Sequence, residues 1–172
     1  LEPFGVATDR RFYLIREDGR LLAGLHHGPL ALVRADWEPG PDRLKLTFPD
    51  GEAVEGDVVQ GEPVLTDFWG HRVDGRVVEG PWEEALTAYA GRQVRLVKAL
   101  EPAGGVDVEP VTLVSSESIA ELARQAGFEV VDGRRFRMLL EVEGCAAHEE
   151  DTWSGRRVRL GEAVVAIGGP VP

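Results

Sequence analysis

The sequence predicts a mostly β protein with two or three short helices. Short apolar runs of strand length recur along the chain, with turn residues between them. Glycine (21 residues) and proline (11 residues) are frequent, which indicates many turns. Few stretches carry the spacing of an amphipathic helix. The 172 residues, 43% of them hydrophobic, suit one domain or one barrel with a smaller lobe.

The charge and the cysteine content exclude some classes of function. A net charge of −11 is incompatible with nucleic-acid binding through bulk charge, although a local basic pocket can still exist. The single cysteine, Cys145, excludes an intramolecular disulfide. There is no run of 18 apolar residues, so no membrane span is expected. The start at Leu1 lacks a signal pattern, and we predict a cytoplasmic protein.

The first half of the chain predicts strands joined by tight turns. A hairpin is expected at Phe12–Ile15 and Arg20–Ala23 around Asp18-Gly19. Further strands are predicted at residues 30–33, 44–48, 64–69 and 72–78. The pair His26-His27 does not predict a metal site, because adjacent side chains of a strand point to opposite faces.

Two helices are predicted. In residues 81–90 Pro81 suits the first turn, Gly91 suits the C-terminal cap, and the apolar residues share one face. In the second helix Ser115 or Ser116 is the natural N-cap, Ser118 and Glu121 have capping-box spacing, and Gly127 ends the helix. The alternative role for this serine-rich start is the donation of amides and hydroxyls to an anion.

The stretch from Arg134 to Trp153 holds the main candidate site. If it begins as a strand, Arg135 and Arg137 lie on one face and Phe136 on the other. Two neighbouring guanidiniums suit an oxyanion such as phosphate. The alternative is a surface strand whose arginines pair with nearby acids. The last strand pair is predicted at residues 158–160 and 163–167.

The residues that follow offer weaker candidates for chemistry. Cys145 and His148 with Glu149 or Glu150 provide too few thiols and imidazoles for a zinc site, so we expect Cys145 to be a small, partly buried residue. The run Glu149-Glu150-Asp151 is either a paired-carboxylate acid/base site or a solvated turn that pairs with Arg156 or Arg157. We predict the solvated turn.

Several of these motifs, in this order, resemble the MOSC family, which is named for the C-terminal domain of molybdenum cofactor sulfurase. The family includes bacterial and mitochondrial reductases of N-hydroxylated compounds. The matching segments are Gly5-Val6-x-x-Asp9-Arg10-x-Phe12, the helix followed by Gly91-Arg92-Gln93-Val94-Arg95-Leu96, Arg134-Arg135-Phe136-Arg137, Glu149-Glu150-Asp151-x-Trp153 and Gly155-Arg156-Arg157-Val158-Arg159-Leu160-Gly161-Glu162-Ala163.

The resemblance implies a fold, a function and partners. It implies a MOSC-like core β-barrel at residues 61–172, preceded by a truncated N-terminal β subdomain at residues 1–60. It implies molybdenum cofactor (Mo-molybdopterin) and either the reduction of N-hydroxylated substrates or the carriage of sulfur. The implied partners are a small-molecule substrate or sulfur donor and a redox protein. The alternatives are a non-catalytic β-barrel module that binds another anion or a protein partner, and a structural domain of a larger enzyme.

The resemblance also implies site residues. Arg10 and Arg137 would bind the phosphate end of the cofactor, Arg135 would assist, and Ser115 and Ser116 would border the pterin; Asp107 is a weaker candidate. The family's metal-ligating cysteine lies in an Arg-Cys pair that we expect beyond Pro172, and a preceding Lys-Ser strand is absent, so we expect a trimmed chain. Arg137-Met138-Leu139 departs from the family's Arg-Pro-Asn and removes an asparagine that could contact the pterin.

Overall fold

A computed structural model describes residues 8–23, 28–101 and 111–170 of the chain. His26, His27 and Asp107 lie outside these ranges. The molecule contains two compact units, one within residues 2–108 and the other within residues 109–172. The domain boundary at 60/61 that the family resemblance implies stays a prediction.

The larger sheet of the first unit is a curled antiparallel sheet. Its order is β1-β7-β6-β5, with β1 at Phe12–Arg16, β5 at Val59–Phe68, β6 at His71–Glu79 and β7 at Val94–Ala99. Although β1 and β5 are opposite edges of this order, the Tyr13 hydroxyl of β1 donates to Thr66 Oγ1 of β5 at 3.2 Å. The sheet therefore curls until its edges approach, and it encloses an apolar cluster of Tyr13, Ile15, Phe68, Val73, Val77, Val97 and Ala99.

A second sheet and a helix complete this unit. The sheet runs β2 (Arg34–Glu38), β3 (Arg43–Thr47) and β4 (Ala53–Asp57), and the helix α1 spans Trp82–Ala90. Trp82 is fully buried in the cluster that joins them. A Cβ at Gly80 (φ +148°) would lie 2.3 Å from the Trp82 ring, so this entry to α1 requires glycine.

The second unit pairs its strands around the helix α2. Strand β8 (Leu113–Ser115) leads into α2 (Ser116–Ala126) and pairs in parallel with β9 (Leu140–Val142). Strands β10 (Arg157–Leu160) and β11 (Ala163–Ala166) form an antiparallel hairpin. Two 3-10 helices, Gly133–Phe136 and Glu149–Trp153, flank β9.

The predicted fold class is confirmed, because the structure is mostly β with two α-helices. Both helices begin and end where the sequence indicated, with Gly91 and Gly127 in left-handed C-terminal caps. In the described residues the strands form four separate sheets, and closure into a barrel stays a prediction. None of the helices within the described ranges is long and apolar enough to cross a membrane.

Three predicted strands were wrong. The return strand at residues 20–23 is reduced to one bridge between Leu21 and Ile15, and β1 pairs with β7 instead. Residues 30–33 belong mostly to a 3-10 helix, Gly28–Leu32, because Pro29 favours a helical first turn and the Val33 N–H bonds to the Leu30 carbonyl. The arginine-rich segment is also a 3-10 helix and not a strand. The Asp132 carboxylate accepts from the Arg134 N–H at 3.0 Å and caps this turn, which overrides the alternating pattern.

Candidate functional site

A cavity of about 390 Å³ lies in the second unit. It is bounded by β8, α2, both 3-10 helices and the β10–β11 hairpin with the residues after it. Its walls are mainly apolar, and they include Leu113, Ile119, Leu122, Phe136, Met138, Leu160 and Val165. Polar groups enter from Thr112, Ser118, His148, Glu150, Asp151 and Ser154. An apolar pocket with a few convergent polar groups is typical of a small-molecule site.

Ser115, one of the predicted pterin-bordering residues, is fully buried at the N-terminus of α2. Its hydroxyl accepts from the Ser118 N–H at 3.0 Å, which confirms Ser115 as the N-cap. The same hydroxyl donates to Glu150 Oε1 at 2.9 Å, and the Ser115 N–H donates to that oxygen at 3.0 Å. The anion at this helix N-terminus is therefore a carboxylate of the chain itself.

The surroundings of Glu150 favour its charged form. Burial alone would raise its pKa, but hydrogen bonds from the Ser118 side chain and from the backbone and side chain of Ser115 outweigh burial, so the pKa of Glu150 is lowered. The positive end of α2 acts in the same direction. Glu150 Oε2 is buried and has no hydrogen-bond partner among the described residues.

The hydroxyls of Ser118 and Ser116, near this carboxylate, make further hydrogen bonds. Ser118 Oγ accepts from the His148 N–H at 2.8 Å, which ties the 149–153 helix to α2. The predicted Ser118–Glu121 capping box was wrong, because the cap begins at Ser115 and Glu121 pairs with Arg124. Ser116, the other predicted pterin neighbour, is half-buried, and its hydroxyl donates weakly to the Val142 carbonyl at 3.4 Å.

The three arginines before the cavity differ in their partners. Arg134 binds Asp132 through its side chain, and this lowers the pKa of Asp132 to about 2. Arg135 and Arg137 are exposed, and within the described part of the chain neither pairs with a carboxylate. They flank Phe136, which lines the cavity. The predicted pairing of these arginines with nearby acids therefore occurs for Arg134 alone. Arg134 lies in a 3-10 turn and not in the surface strand that this alternative assumed.

Arg137 and Arg10 share an uncommon backbone conformation. Their φ angles are +55° and +51°, in the left-handed region that residues with a Cβ seldom adopt. Arg10 belongs to the first unit and forms an ion pair with Asp9, with 3.4 Å between Nε and Oδ2. Residues with strained backbone conformations concentrate at functional sites, so this conformation also marks both arginines as candidates for a functional role.

The weaker candidates for chemistry, which are the possible zinc set, Cys145 and the acidic triplet, have different outcomes. Over residues 8–23, 28–101 and 111–170, no three His, Cys, Asp or Glu side chains are grouped as a metal site would need. Cys145 is partly buried, as expected. Glu149 and Asp151 are exposed as predicted for a solvated turn, but Glu150 is not, and the predicted pairing with Arg156 or Arg157 does not occur in the parts described.

Glu150 is the residue whose role the sequence did not reveal. Its partner Ser115 lies 35 residues away, so no local pattern joins them. The sequence did contain a signal for this contact. The free N–H groups at the serine-rich helix start need an acceptor, and an acidic triplet follows the next strand.

Comparison with known proteins finds one distant sequence similarity, which agrees with the sequence motifs. No known family model matches the chain. The chain is 27% identical over 181 residues to mitochondrial amidoxime-reducing component 1 of Danio rerio, across 92% of this chain and 54% of that protein. It therefore spans about half the length of this curated relative.

A solved structure shows a looser likeness. The solution structure of a Bordetella bronchiseptica protein covers 59% of this chain and 79% of its own, with 21% identity and a TM-score of 0.41. The chain is thus distantly similar in sequence to mitochondrial amidoxime-reducing component 1, which agrees with the family resemblance of its motifs.

Proposed function

We propose that the chain is a molybdenum-cofactor-binding domain of the MOSC type that serves the reduction of N-hydroxylated compounds. The observation that carries the proposal is the similarity to an amidoxime-reducing component over 92% of the chain. Carriage of sulfur, the other activity that the motif resemblance implies, remains a variant of this proposal.

The phosphate end of the cofactor fits Arg135 and Arg137. Both guanidiniums are exposed, and neither is neutralised by a carboxylate of the described residues. Their planar donor sets match the oxygens of a phosphate monoester. Arg10 is included on the motif alone, because it belongs to the other unit and pairs with Asp9.

The pterin end fits only part of the predicted set. Ser116 is half-buried and its hydroxyl makes one long hydrogen bond, so it can turn toward a ligand. Ser115 is fully buried and its hydroxyl is used by Glu150 and Ser118. We therefore assign Ser115 a positioning role, since it holds Glu150 and with it the wall of the cavity.

The cofactor, when bound, would supply the two-electron chemistry of the reduction. Arg135 and Arg137 would anchor it through charge. Phe136 and Met138 would exclude water from the cavity wall that they form. We do not assign Cys145 as a ligand of the metal, because it lies after β9 and outside the motif that carries the family's thiol.

The test is the metal and pterin content of the protein expressed from its complete gene in a host that makes the cofactor. We expect near-stoichiometric molybdenum and oxidised-pterin fluorescence, both lost in Arg137→Ala. The matched control is Arg134→Ala, which removes an arginine that Asp132 already neutralises. Absence of both signals, while a related reductase purified in parallel retains them, would refute the proposal.

A second candidate function is a non-catalytic module that binds another anion. Leu139 stands where the family's asparagine is expected and Met138 makes the cavity wall apolar, so a polar pterin edge loses one partner. In that case the cofactor-free protein should bind a phosphate monoester such as phenyl phosphate by calorimetry, with loss in Arg135→Ala. Molybdenum and pterin in the purified protein would decide against this candidate.

A further inference from the structure

The first unit carries a separate groove of about 440 Å³ at the gap in the curled sheet. One side is the turn after β1, with Asp18, Arg20 and Leu21. The other side is the end of the opposite edge strand β5, with Leu65, Asp67 and Trp69. None of these residues belongs to the proposed cofactor site.

The β5 side presents an outward row of side chains. Leu65 and Asp67 alternate with buried Thr66 and Phe68, so they point away from the core. Trp69 continues the row and is 57% exposed, whereas Trp82 is fully buried and Trp37 and Trp153 are half-buried. A large aromatic surface therefore faces solvent beside a carboxylate.

The conformation of Trp69 makes this exposure unusual. Phe68 and His71 are paired across the hairpin, so Trp69 and Gly70 form its two-residue turn. Their φ angles are +47° and +103°, as in a type I′ turn. Such a turn favours asparagine or aspartate before glycine, and a bulky residue there is a strained outlier. Trp69 makes an edge contact with the buried Phe68 ring, with 6.2 Å between the centroids, but more than half of its surface stays in solvent, which favours a role in binding.

The charges in and around the groove are mixed, and their pairing leaves one carboxylate available. Asp18 lies 3.7 Å from the guanidinium of Arg20, which balances it. Asp67 accepts from the Gly70 N–H through Oδ1 and makes no salt bridge within the described residues. Arg72 is opposite Asp67 in the hairpin register, without an ion pair between them. Asp67 is thus the unneutralised charge among the lining residues.

We propose that this groove binds a small organic monocation, with the cationic head over the Trp69 ring and beside Asp67. The aromatic face attracts a cation and the carboxylate adds a charge partner. Leu65 and Leu21 offer apolar contact to the body of the ligand. The net charge of −11 raises the local concentration of cations.

The test uses choline and its neutral isostere 3,3-dimethylbutan-1-ol as probes. Binding is followed by the indole N–H signal of Trp69 in an NMR titration of the full chain. We expect a saturable shift with choline and about 2- to 5-fold weaker binding of the neutral isostere, as for an exposed cation–π contact.

Two charge variants should change the affinity for choline in opposite directions. Asp67→Asn keeps an oxygen for the Gly70 N–H and should weaken choline binding by about 2- to 5-fold. Arg72→Gln removes the nearby positive charge and should strengthen binding by a similar factor. Glu84→Gln, an exposed change on α1, controls for net charge and should leave binding unchanged.

Trp69→Asn separates binding from folding. Asparagine suits the left-handed turn position, so this variant should stay folded. Because the indole signal is absent, binding is followed by the methyl signals of Leu21 and Leu65, which should no longer shift with choline. The proposal is overturned if choline causes no saturable shift, if the isostere binds equally well, or if Asp67→Asn and Arg72→Gln change choline binding in the directions opposite to those expected.

Discussion

Glu150 Oε1 accepts hydrogen bonds from both the backbone N–H and the hydroxyl of Ser115, at 3.0 and 2.9 Å. One carboxylate oxygen thus serves two donors at the start of α2, and it does so across 35 residues of sequence. The contact fastens the 149–153 helix to the β8–α2 junction, and the two segments form part of one cavity wall.

Replacing Glu150 by glutamine should destabilise the second unit. Glu150→Gln keeps the shape but removes the charge that Ser115 and the helix N-terminus favour, and we expect a loss of about 1 to 2 kcal/mol. Hydrogen exchange of the α2 amides measures this loss. Glu143→Gln, at an exposed position after β9, is the control and should leave exchange unchanged.

The stabilising effect of Glu150 should depend on pH. Its pKa is lowered in the folded state, so its contribution is present above the ordinary value of 4.5 and is lost as the pH falls through the lowered pKa. The difference in unfolding free energy between the native protein and Glu150→Gln should therefore shrink below pH 4.5. Urea unfolding over a pH series tests this, and a difference that grows on acidification would contradict the assignment.

Glycine at position 137 should separate backbone strain from anion binding. Arg137 has φ +55°, so Arg137→Gly should be more stable than Arg137→Ala by about 0.5 to 1 kcal/mol. Both variants lose the guanidinium, and both should lose the cofactor. Thermal unfolding together with molybdenum analysis gives the two readouts. If only Arg137→Ala lost the cofactor, the guanidinium would not be its anchor.

The pair of Lys98 and Asp42 should matter for the first unit. Lys98 is buried, and its Nζ lies 2.7 Å from Asp42 Oδ1 and 4.9 Å from the centroid of the Trp37 ring. Lys98→Met removes the cation and leaves a partly buried carboxylate, and we expect a loss of about 2 to 3 kcal/mol. Urea unfolding measures it. Lys45→Met, at an exposed strand position, should change stability by less than about 0.5 kcal/mol.

The elements that the sequence predicted well are those that short-range chemistry determines. Pro81 and Gly91 bound α1, and Ser115 and Gly127 bound α2, because caps and left-handed ends depend on the residues within one turn. The strands β5 and β6 also followed from apolar runs of strand length between turn residues. Where a local side chain competed with this pattern, as Asp132 does at Arg134, the strand prediction failed.

By itself the sequence determined the mostly β class and both helices with their caps, and its motifs indicated a distant resemblance to a known family. It also singled out Arg10, Arg135 and Arg137, whose role in cofactor binding stays a prediction. Only the tertiary structure decided that Glu150 occupies the N-terminus of α2, and that β5 curls toward β1 and leaves a groove beside Trp69. Helix and strand periods report neighbours a few residues apart, whereas these contacts join segments 35 and 53 residues apart, and packing of the whole unit selects them.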